Sequence, residues 1–313
     1  MALLLVLVVV ALLTSLLTDL AYSTLVDMRL TETFRDSTRA YYLAKGGLNA
    51  GRMILQEDRN RYDALDELWS KGVVNYPVGE GSVSIDIEDQ DGKLAINAMV
   101  DGDNPDTVMI DRFYRLMVNL ELGEQAASPA ELTAALIDWL DTGSTPYAEI
   151  RTDGLRIPVA GAEDAYYRSL AQPYPCKNGP LETLEELALV KGFTPEIIKA
   201  ITPHLAARRT LKVNVNTASS EVLMSLDPQV DFATVQSIIR HREDKPIVNI
   251  AQLEEVLTPQ AYTVIKTLAN LEQIGTTSQY YRIESTALYN DGSRRLVAEV
   301  DKKDNTLLFF KVN

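Results

Sequence analysis

The sequence predicts an α+β fold: one long N-terminal helix, antiparallel strands towards both ends of the remaining chain, and a large all-α insertion between them. Three observations predict it. Residues 1–18 form an apolar rod in which only Thr14, Ser15 and Thr18 are polar, and helical apolar spacing continues beyond it. Apolar and polar residues alternate near 83–87 and again through 280–312. Between these stretches, over 101–273, short helical runs alternate with Pro- and Gly-containing turns.

A helix of roughly 18–20 residues just crosses the hydrocarbon core of a bilayer. The first charge is Asp19, and no Lys or Arg precedes the rod. A secretory signal needs a basic start and a small-residue cleavage site, and neither is clear here. No proline occurs from Thr18 to Trp69, and apolar residues recur at Leu20, Leu25, Met28, Phe34, Tyr41, Leu48 and Leu55. The rod is therefore expected to run into an amphipathic helix ending near residue 58, a single-pass anchor with a helical stalk. Gly46, Gly47 and Gly51 weaken that helix by about 1 kcal/mol each against Ala, which predicts a kink or close packing there.

The chain has 313 residues, 46% of them hydrophobic, enough for two or three domains with their own cores. A net charge of −14 argues against non-specific nucleic-acid binding, which needs a basic face. Cys176 is the only cysteine, so no intramolecular disulfide and no cysteine-based zinc site can form. His204 and His241 are the only histidines. No G-x-S-x-G elbow, phosphate-binding loop or H-E-x-x-H occurs, and no catalytic site is expected.

Val83, Ile85 and Ile87 form a first strand, and Asp91-Gly92 is expected to turn it into a return strand at Leu94 and Ile96. Strands are expected near 280–289, 294–301 and 306–312, with turns at Asp291-Gly292 and Asp304-Asn305. Ser128, Pro129 and Glu131 start a capped helix, as do Thr183 with Glu186, which Gly192 then stops. Further short helices are expected in TPEIIKAITPHLA, TASSEVLMSL, ATVQSIIRHRE and NIAQLEEVL. KLAIN at 93–97 and KVNVN at 212–216 share Lys, alternation and a closing Asn, and each precedes a helical run. They suggest two similar halves, near 105–207 and 212–272. Trp139, on an apolar helix, is expected in the core. Trp69 is a second aromatic for the core or for a partner.

Several stretches together resemble one family, the K-class minor pseudopilins of type II secretion (general secretion pathway protein K). They are YYLAKGGLNAGRMIL at 41–55, RYDALDELW at 61–69, DGKLAIN at 91–97, LIDWLD at 136–141, GAEDAYY at 161–167, NGPLETLEEL at 178–187 and KVNVNTASSEVL at 212–223. The resemblance implies a pilin-like fold, with a long helix on an antiparallel sheet and an insertion of two SAM-like, helix-hairpin-helix-like halves. It divides the chain into a membrane segment at 1–26, a helix with first strands at 27–100, the helical insertion at 101–273 and closing strands at 274–313. It also implies that a leader is removed, which would make Met1 the mature, methylated start. Leu5 then stands where most pilin-like chains carry Glu, and the membrane and assembly helix carries Met1, Leu5 and Asp19. The implied role is to cap the pseudopilus tip with the I- and J-class minor pseudopilins. Other pseudopilins and the inner-membrane platform are further partners, and contact with secreted proteins is open. The implied location is a single pass of the inner membrane, with the soluble part in the periplasm.

The sharpest chemical feature is LIDWLDTGSTPYAEIRTDGLRIPVAGAEDAYY at 136–167. Asp138 and Asp141 are three apart at a helix end and share a face. The following loop adds Asp153, Glu163 and Asp164. Crowded carboxylates repel without a cation, and calcium takes six to eight hard oxygens from flexible loops. Asp138, Asp141, Glu163 and Asp164 are the expected calcium ligands, and the resemblance also implies bound calcium in the helical insertion. The family run is close to D-W-L-D-x-D, whereas position 143 here is Gly, one carboxylate short. The plain alternative is a solvated acidic loop. DGDNPD at 101–106 lacks the Gly and Glu of an EF-hand loop and is expected to be an Asp-rich turn. A rival reading takes NVNTASSEVLMSLDPQVDFATVQSIIRHRED as the helix-hairpin-helix of a membrane-anchored DNA receptor. Its hairpin carries Asp227 and Asp231 in place of the glycines that phosphate approach requires.

Overall fold

The computed structural model describes residues 1–122, 127–152 and 154–313. The chain separates into two compact units. One comprises Met1–Glu57, Lys71–Ile87 and Arg282–Asn313, and the other Asp58–Ser70 and Glu88–Tyr281.

In the first unit, helix α1 runs without interruption from Ala2–Glu57. Its first three turns and well beyond are exposed apolar side chains, and its buried face begins only at Asp36, Ala40 and Ala44. That face lies on an antiparallel sheet whose strands, in spatial order, are Val73–Val78, Gly81–Asp89, Tyr280–Tyr289, Gly292–Asp301 and Thr306–Val312. The three C-terminal strands fall where alternation placed them. Asn290 and Asn305 take up left-handed backbone (φ 47° and 57°) at the two turns, the conformation tight turns demand and Asn tolerates. Gly47 faces Val83 and Ser285 so closely that a Cβ there would stand 2.6 Å and 2.3 Å from their side chains. Close packing, of the two outcomes the glycines predicted, is what Gly47 and Gly51 provide, whereas Gly46 faces open space. Arg52 ties the same helix to the last turn, donating to Asn305 Oδ1 at 2.9 Å and to its carbonyl at 2.8 Å.

The second unit holds α2 (Thr107–Asn119), α3 (Pro129–Leu140), α4 (Asp164–Arg168), α5 (Pro195–Ile201), α6 (Ser220–Ser225), α7 (Phe232–Asp244) and α8 (Pro259–Asn270). Its apolar side chains form two clusters, one spanning Leu94 to Leu205 and one spanning Val213 to Ile274. Trp139 and Trp69 are both 2% exposed and belong to the interior. Two short segments, Leu184–Leu189 and Ile250–Glu255, are tight 3-10 turns with full capping boxes at Thr183/Glu186 and Asn249/Gln252. DGDNPD is an Asp-rich turn, with Gly102 at φ 63° and Asp106 capping α2.

The two pentapeptides do equivalent jobs. Leu94–Ala95 pairs in parallel with Leu205–Ala206, and Val213–Asn214 pairs in parallel with Ile274–Gly275. Asn97 accepts from the Leu181 N–H and donates to the Leu181 carbonyl, both at 2.8 Å. Asn216 does the same to Ile247, at 2.9 Å each way. Each clamped residue lies two positions before a capping-box Thr or Asn, and each 3-10 turn leads to a Thr-Pro helix start, at Thr194 and Thr258.

The hairpin expected at Asp91-Gly92 does not form. Leu94 pairs with Leu205 and not with the preceding strand. Gly92 lacks the positive φ that a two-residue hairpin needs, and it packs on Thr217. The acids nearby are engaged elsewhere. Asp89 Oδ2 accepts from Asn214 (3.2 Å), Ser278 (2.6 Å) and Thr217 (2.5 Å), and its Oδ1 accepts from the Asp91 N–H at 2.8 Å. Asp63 accepts from the Ser278 N–H at 2.7 Å and the Tyr281 hydroxyl at 2.6 Å. Asp91 Oδ2 accepts from the Gln279 and Tyr280 N–H groups, at 2.6 Å and 3.3 Å.

Two outcomes follow from this packing. Gly47→Leu should destabilise the full chain in detergent by about 1–3 kcal/mol, since neither wall can retreat. Gly46→Ala, which meets nothing within 4 Å, should instead stabilise by about 1 kcal/mol. Thermal unfolding of both variants measures this, and equal effects would refute it. Burial first, and the neighbouring Asp89 charge, raise Asp91 to about 7. A raised carboxyl contributes its full stability below its unfolded value and loses it as pH rises through 7. Asp91→Asn keeps an acceptor for both N–H groups, so it should remove the loss, on the order of 4 kcal/mol, that the parent completes as pH rises through about 7. Denaturant titrations of both proteins at two pH values check the difference.

Candidate metal centre

The capping box between Ser128 and Glu131, with Pro129 in the first turn, fixes the start of α3. Asp138 then falls in its last turn, and Asp141 is the residue that ends it. Glu163 caps α4, accepting from the Asp164 N–H at 3.4 Å. Three of the four expected ligands come together: Asp138, Asp141 and Glu163 each offer an oxygen within 4.8 Å of the others. All three are buried, Asp138 completely.

Asp138 is the centre of the group. Its Oδ1 accepts from the Tyr147 N–H at 2.8 Å and its Oδ2 from the Ala162 N–H at 2.5 Å. Gly161 allows this approach, since a Cβ there would stand 1.9 Å from Oδ2. Asp141 Oδ1 accepts from the Gly143 N–H at 2.9 Å. Glu163 Oε1 is buried with no hydrogen-bond partner among the described residues. Burial raises Asp138 to about 6, with the Asp141 charge adding to it. Burial raises Glu163 to about 7, with Asp138 and then Asp141 adding. Asp141 is also raised by burial, and by Asp103. Dehydration and mutual repulsion thus both oppose ionisation, and a bound divalent cation relieves both.

The donor set fits a hard cation, since all three side chains offer carboxylate oxygen. Asn178 Nδ2 donates to the Gly143 carbonyl at 2.9 Å, and its Oδ1 is buried with no hydrogen-bond partner among the described residues. Cys176 Sγ donates to the Asp138 carbonyl at 3.5 Å, and burial pushes the thiol up to about 11, so no thiolate is offered to a softer metal.

Asp164 stands outside this group. Its Oδ2 pairs with Arg168, and its Oδ1 accepts from the Cys176 N–H at 3.2 Å. Asp153 lies outside the described residues. Asp103 was missed in the sequence. A Cβ on Gly143 would stand 2.8 Å from Asp103 Oδ1 and 3.2 Å from Asp141 Oδ1, so an acid from the 101–106 turn reaches the place where the family run has its third aspartate. A second group was also missed. Asp58, Asp63 and Glu67 bring oxygens within 4.8 Å of one another, just after α1. Repeated acids at the point where the helical spacing fails were its signal. Either group has the geometry to coordinate a divalent cation.

Met1, Leu5 and Asp19 lie on the exposed early part of the long helix, where the Leu5 N–H donates to the Met1 carbonyl at 3.2 Å. By length and composition, α1 is apolar enough to cross a membrane. The rival phosphate-binding hairpin is differently employed. Asp231 caps α7, accepting from the Thr234 N–H at 2.8 Å, and Arg242 donates to the Val215 and Ala218 carbonyls at 2.7 Å each.

Two profiles of the family described as type II secretion system (T2SS), protein K, match residues 92–210 and 213–272. The type II secretion system protein K of Pectobacterium carotovorum subsp. carotovorum is 27% identical over 226 residues, covering 69% of this chain. The chain spans 65% of that relative's length, and the same share of its Klebsiella pneumoniae counterpart. The protein K of Aeromonas hydrophila is 23% identical across 99% of this chain and 95% of its own. The fold is shared with a chain in the crystal structure of the GspK-GspI-GspJ complex from enterotoxigenic Escherichia coli. The TM-score is 0.66 at 15% identity, covering 92% of this chain and 99% of that one. With both halves of the helical insertion matched in order by one family, this chain belongs to the type II secretion system protein K family.

Proposed function

We propose that the chain is a non-enzymatic minor pseudopilin. It is anchored by α1 in the inner membrane, with its soluble part in the periplasm. It caps the pseudopilus tip with I- and J-class partners and helps export folded proteins across the outer membrane. The observation that carries this is α1 itself: one helix, Ala2–Glu57, is apolar and exposed along its first half and packed on a sheet along its second. Such a helix can bundle with similar helices in a membrane-rooted filament. The partners are those that accompany the similar GspK chain in its complex. Leu5 keeps a charge out of the lipid, in keeping with a subunit that has none above it. The Asn97 and Asn216 clamps support reading the insertion as two SAM-like halves, near 105–207 and 212–272. Among the described residues, the 227–231 hairpin offers aspartates where a phosphate-approaching turn would need glycine, which does not favour the DNA-receptor reading.

Within this reading the ion at Asp138, Asp141 and Glu163 is calcium, which suits acids and backbone carbonyls carried on loops. Asp103 makes up for Gly143, and Asp164 supports the site by holding Cys176. The ion would offset the repulsion of buried acids and fix the 142–163 segment against α3.

Saturating calcium should raise the melting temperature of the full chain in detergent by about 5–10 °C. In EDTA the melting temperature should fall as pH rises through 7, because Glu163 has a raised value and contributes stability only while protonated. Calcium should remove that fall. Asp138→Asn should lose most of the calcium gain, and an undiminished gain would exclude this ligand set. The tip role is tested by mixing the detergent-solubilised chain with the I- and J-class pseudopilins of the same cell. Light scattering should give a one-to-one-to-one mass, and three separate peaks would contradict the role.

A further inference from the structure

A groove of about 940 Å³ opens beside α8 in the second half of the insertion. It is within the size range of preformed binding sites. Its walls mix apolar groups, including Val248 and Leu271, with amides such as Asn270. Lys212 and Lys266 both line it, against a single acid, Glu272. That is a positive surplus on a chain of net charge −14.

Lys212 is fixed in place. Its Nζ donates to Thr277 Oγ1 at 2.9 Å, and its stem lies across Gly275, where a Cβ would stand 2.1 Å from Lys212 Cε. The repeat shows what is unusual about it. Lys93 holds the same place in KLAIN as Lys212 in KVNVN, and Lys93 is neutralised by Glu88 at 2.7 Å. Lys212 has no carboxylate within ion-pair distance among the described residues, although Asp91 lies close enough to feel its charge. Lys266 stands over the Tyr262 ring, 5.7 Å from its centroid, on the α8 wall. Tyr262, Lys266 and Asn270 also line a second hollow of about 430 Å³, which holds Glu254.

We infer that this groove binds an extended acidic peptide segment of a partner protein, with a carboxylate on Lys212 and a second near Lys266. Amides on the walls suit a peptide backbone, apolar groups suit alternating side chains, and the two lysines supply the charge preference. The chain's overall negative charge repels such a peptide elsewhere, which confines it to this groove.

The test is fluorescence anisotropy of a fluorescein-labelled heptapeptide of alternating aspartate and valine, added to the full chain in detergent. The acidic peptide should bind, and Lys212→Met and Lys266→Met should each weaken it by about tenfold. Gly275→Val should weaken it similarly by displacing the Lys212 stem, with an unchanged melting temperature. Gly46→Ala should have no effect. No binding, or binding that survives both lysine substitutions, overturns the inference. Full displacement by inorganic phosphate would make this a simple anion site and overturns it too, as would tighter binding of oligothymidylate than of the peptide. None of these outcomes depends on assembly with the I- and J-class partners.

Discussion

The first unit depends on one constraint, the approach of α1 to its sheet at Gly47. A helix that runs without a break from an apolar segment of membrane-spanning length cannot choose its path freely, because its axis is already set by the segment behind it. It must meet the sheet at whatever residues arrive there, and those residues must leave room. Gly47 does so against Val83 and Ser285, and Gly51 does so one turn later against Ile283. Helix propensity lost at these positions, about 1 kcal/mol each, is the cost of bringing backbone against side chains at that distance. Arg52 and Asn305 then lock the sheet's last turn to the helix beyond the contact. Within the first unit, the helix and its sheet are thereby joined both at the glycine contact and beyond it.

Backbone accounting governs the second unit in the same way. Its helices are short, so much of its chain lies in turns whose N–H and C=O groups need partners. Asn97 and Asn216 each satisfy both groups of one buried residue, just before a capped turn. A side-chain amide has one acceptor and one donor on neighbouring atoms, so Asn can do this and an acid cannot. The shared Asn of KLAIN and KVNVN is a structural demand of the repeat.

Legibility in the sequence followed the range of the interactions. The long helix, the capped helices and the C-terminal strands were visible because spacing, Ser-Pro and Thr-Pro starts, and turn residues act within a few positions. The Asp91-Gly92 hairpin was misjudged because its aspartates answer to Asn214, Ser278 and the 279–280 backbone, far along the chain. At the acidic site, Asp138, Asp141 and Glu163 were readable as crowded carboxylates. Asp103 was not, because its approach to Asp141 depends on how the 101–106 turn packs on the end of α3. Asp164 looked equivalent to Glu163, yet a partner four residues later, Arg168, takes its carboxylate instead.

The buried acids of the second unit illustrate three ways of keeping a carboxyl from water, and the comparison bears on which of them a cation would suit. Asp89 and Asp63 are met by donors: Asp89 receives four hydrogen bonds and Asp63 receives two short ones. Asp91 receives two on one oxygen and none on the other, and its raised value lets a proton complete the set near neutral pH. Asp138 has one donor on each oxygen, while Glu163 has a buried oxygen with none and two acids beside it. A proton on Glu163 would answer its own deficit but leave Asp138 and Asp141 repelling. One divalent ion would answer all three deficits together. At Asp58, Asp63 and Glu67 the deficit is smaller, because Asp63 is already met and Glu67 accepts from Ala64 and the Trp69 indole, both at 2.9 Å. Donor supply, more than the number of acids, therefore separates the two groups, and it favours the proposed ion at the end of α3.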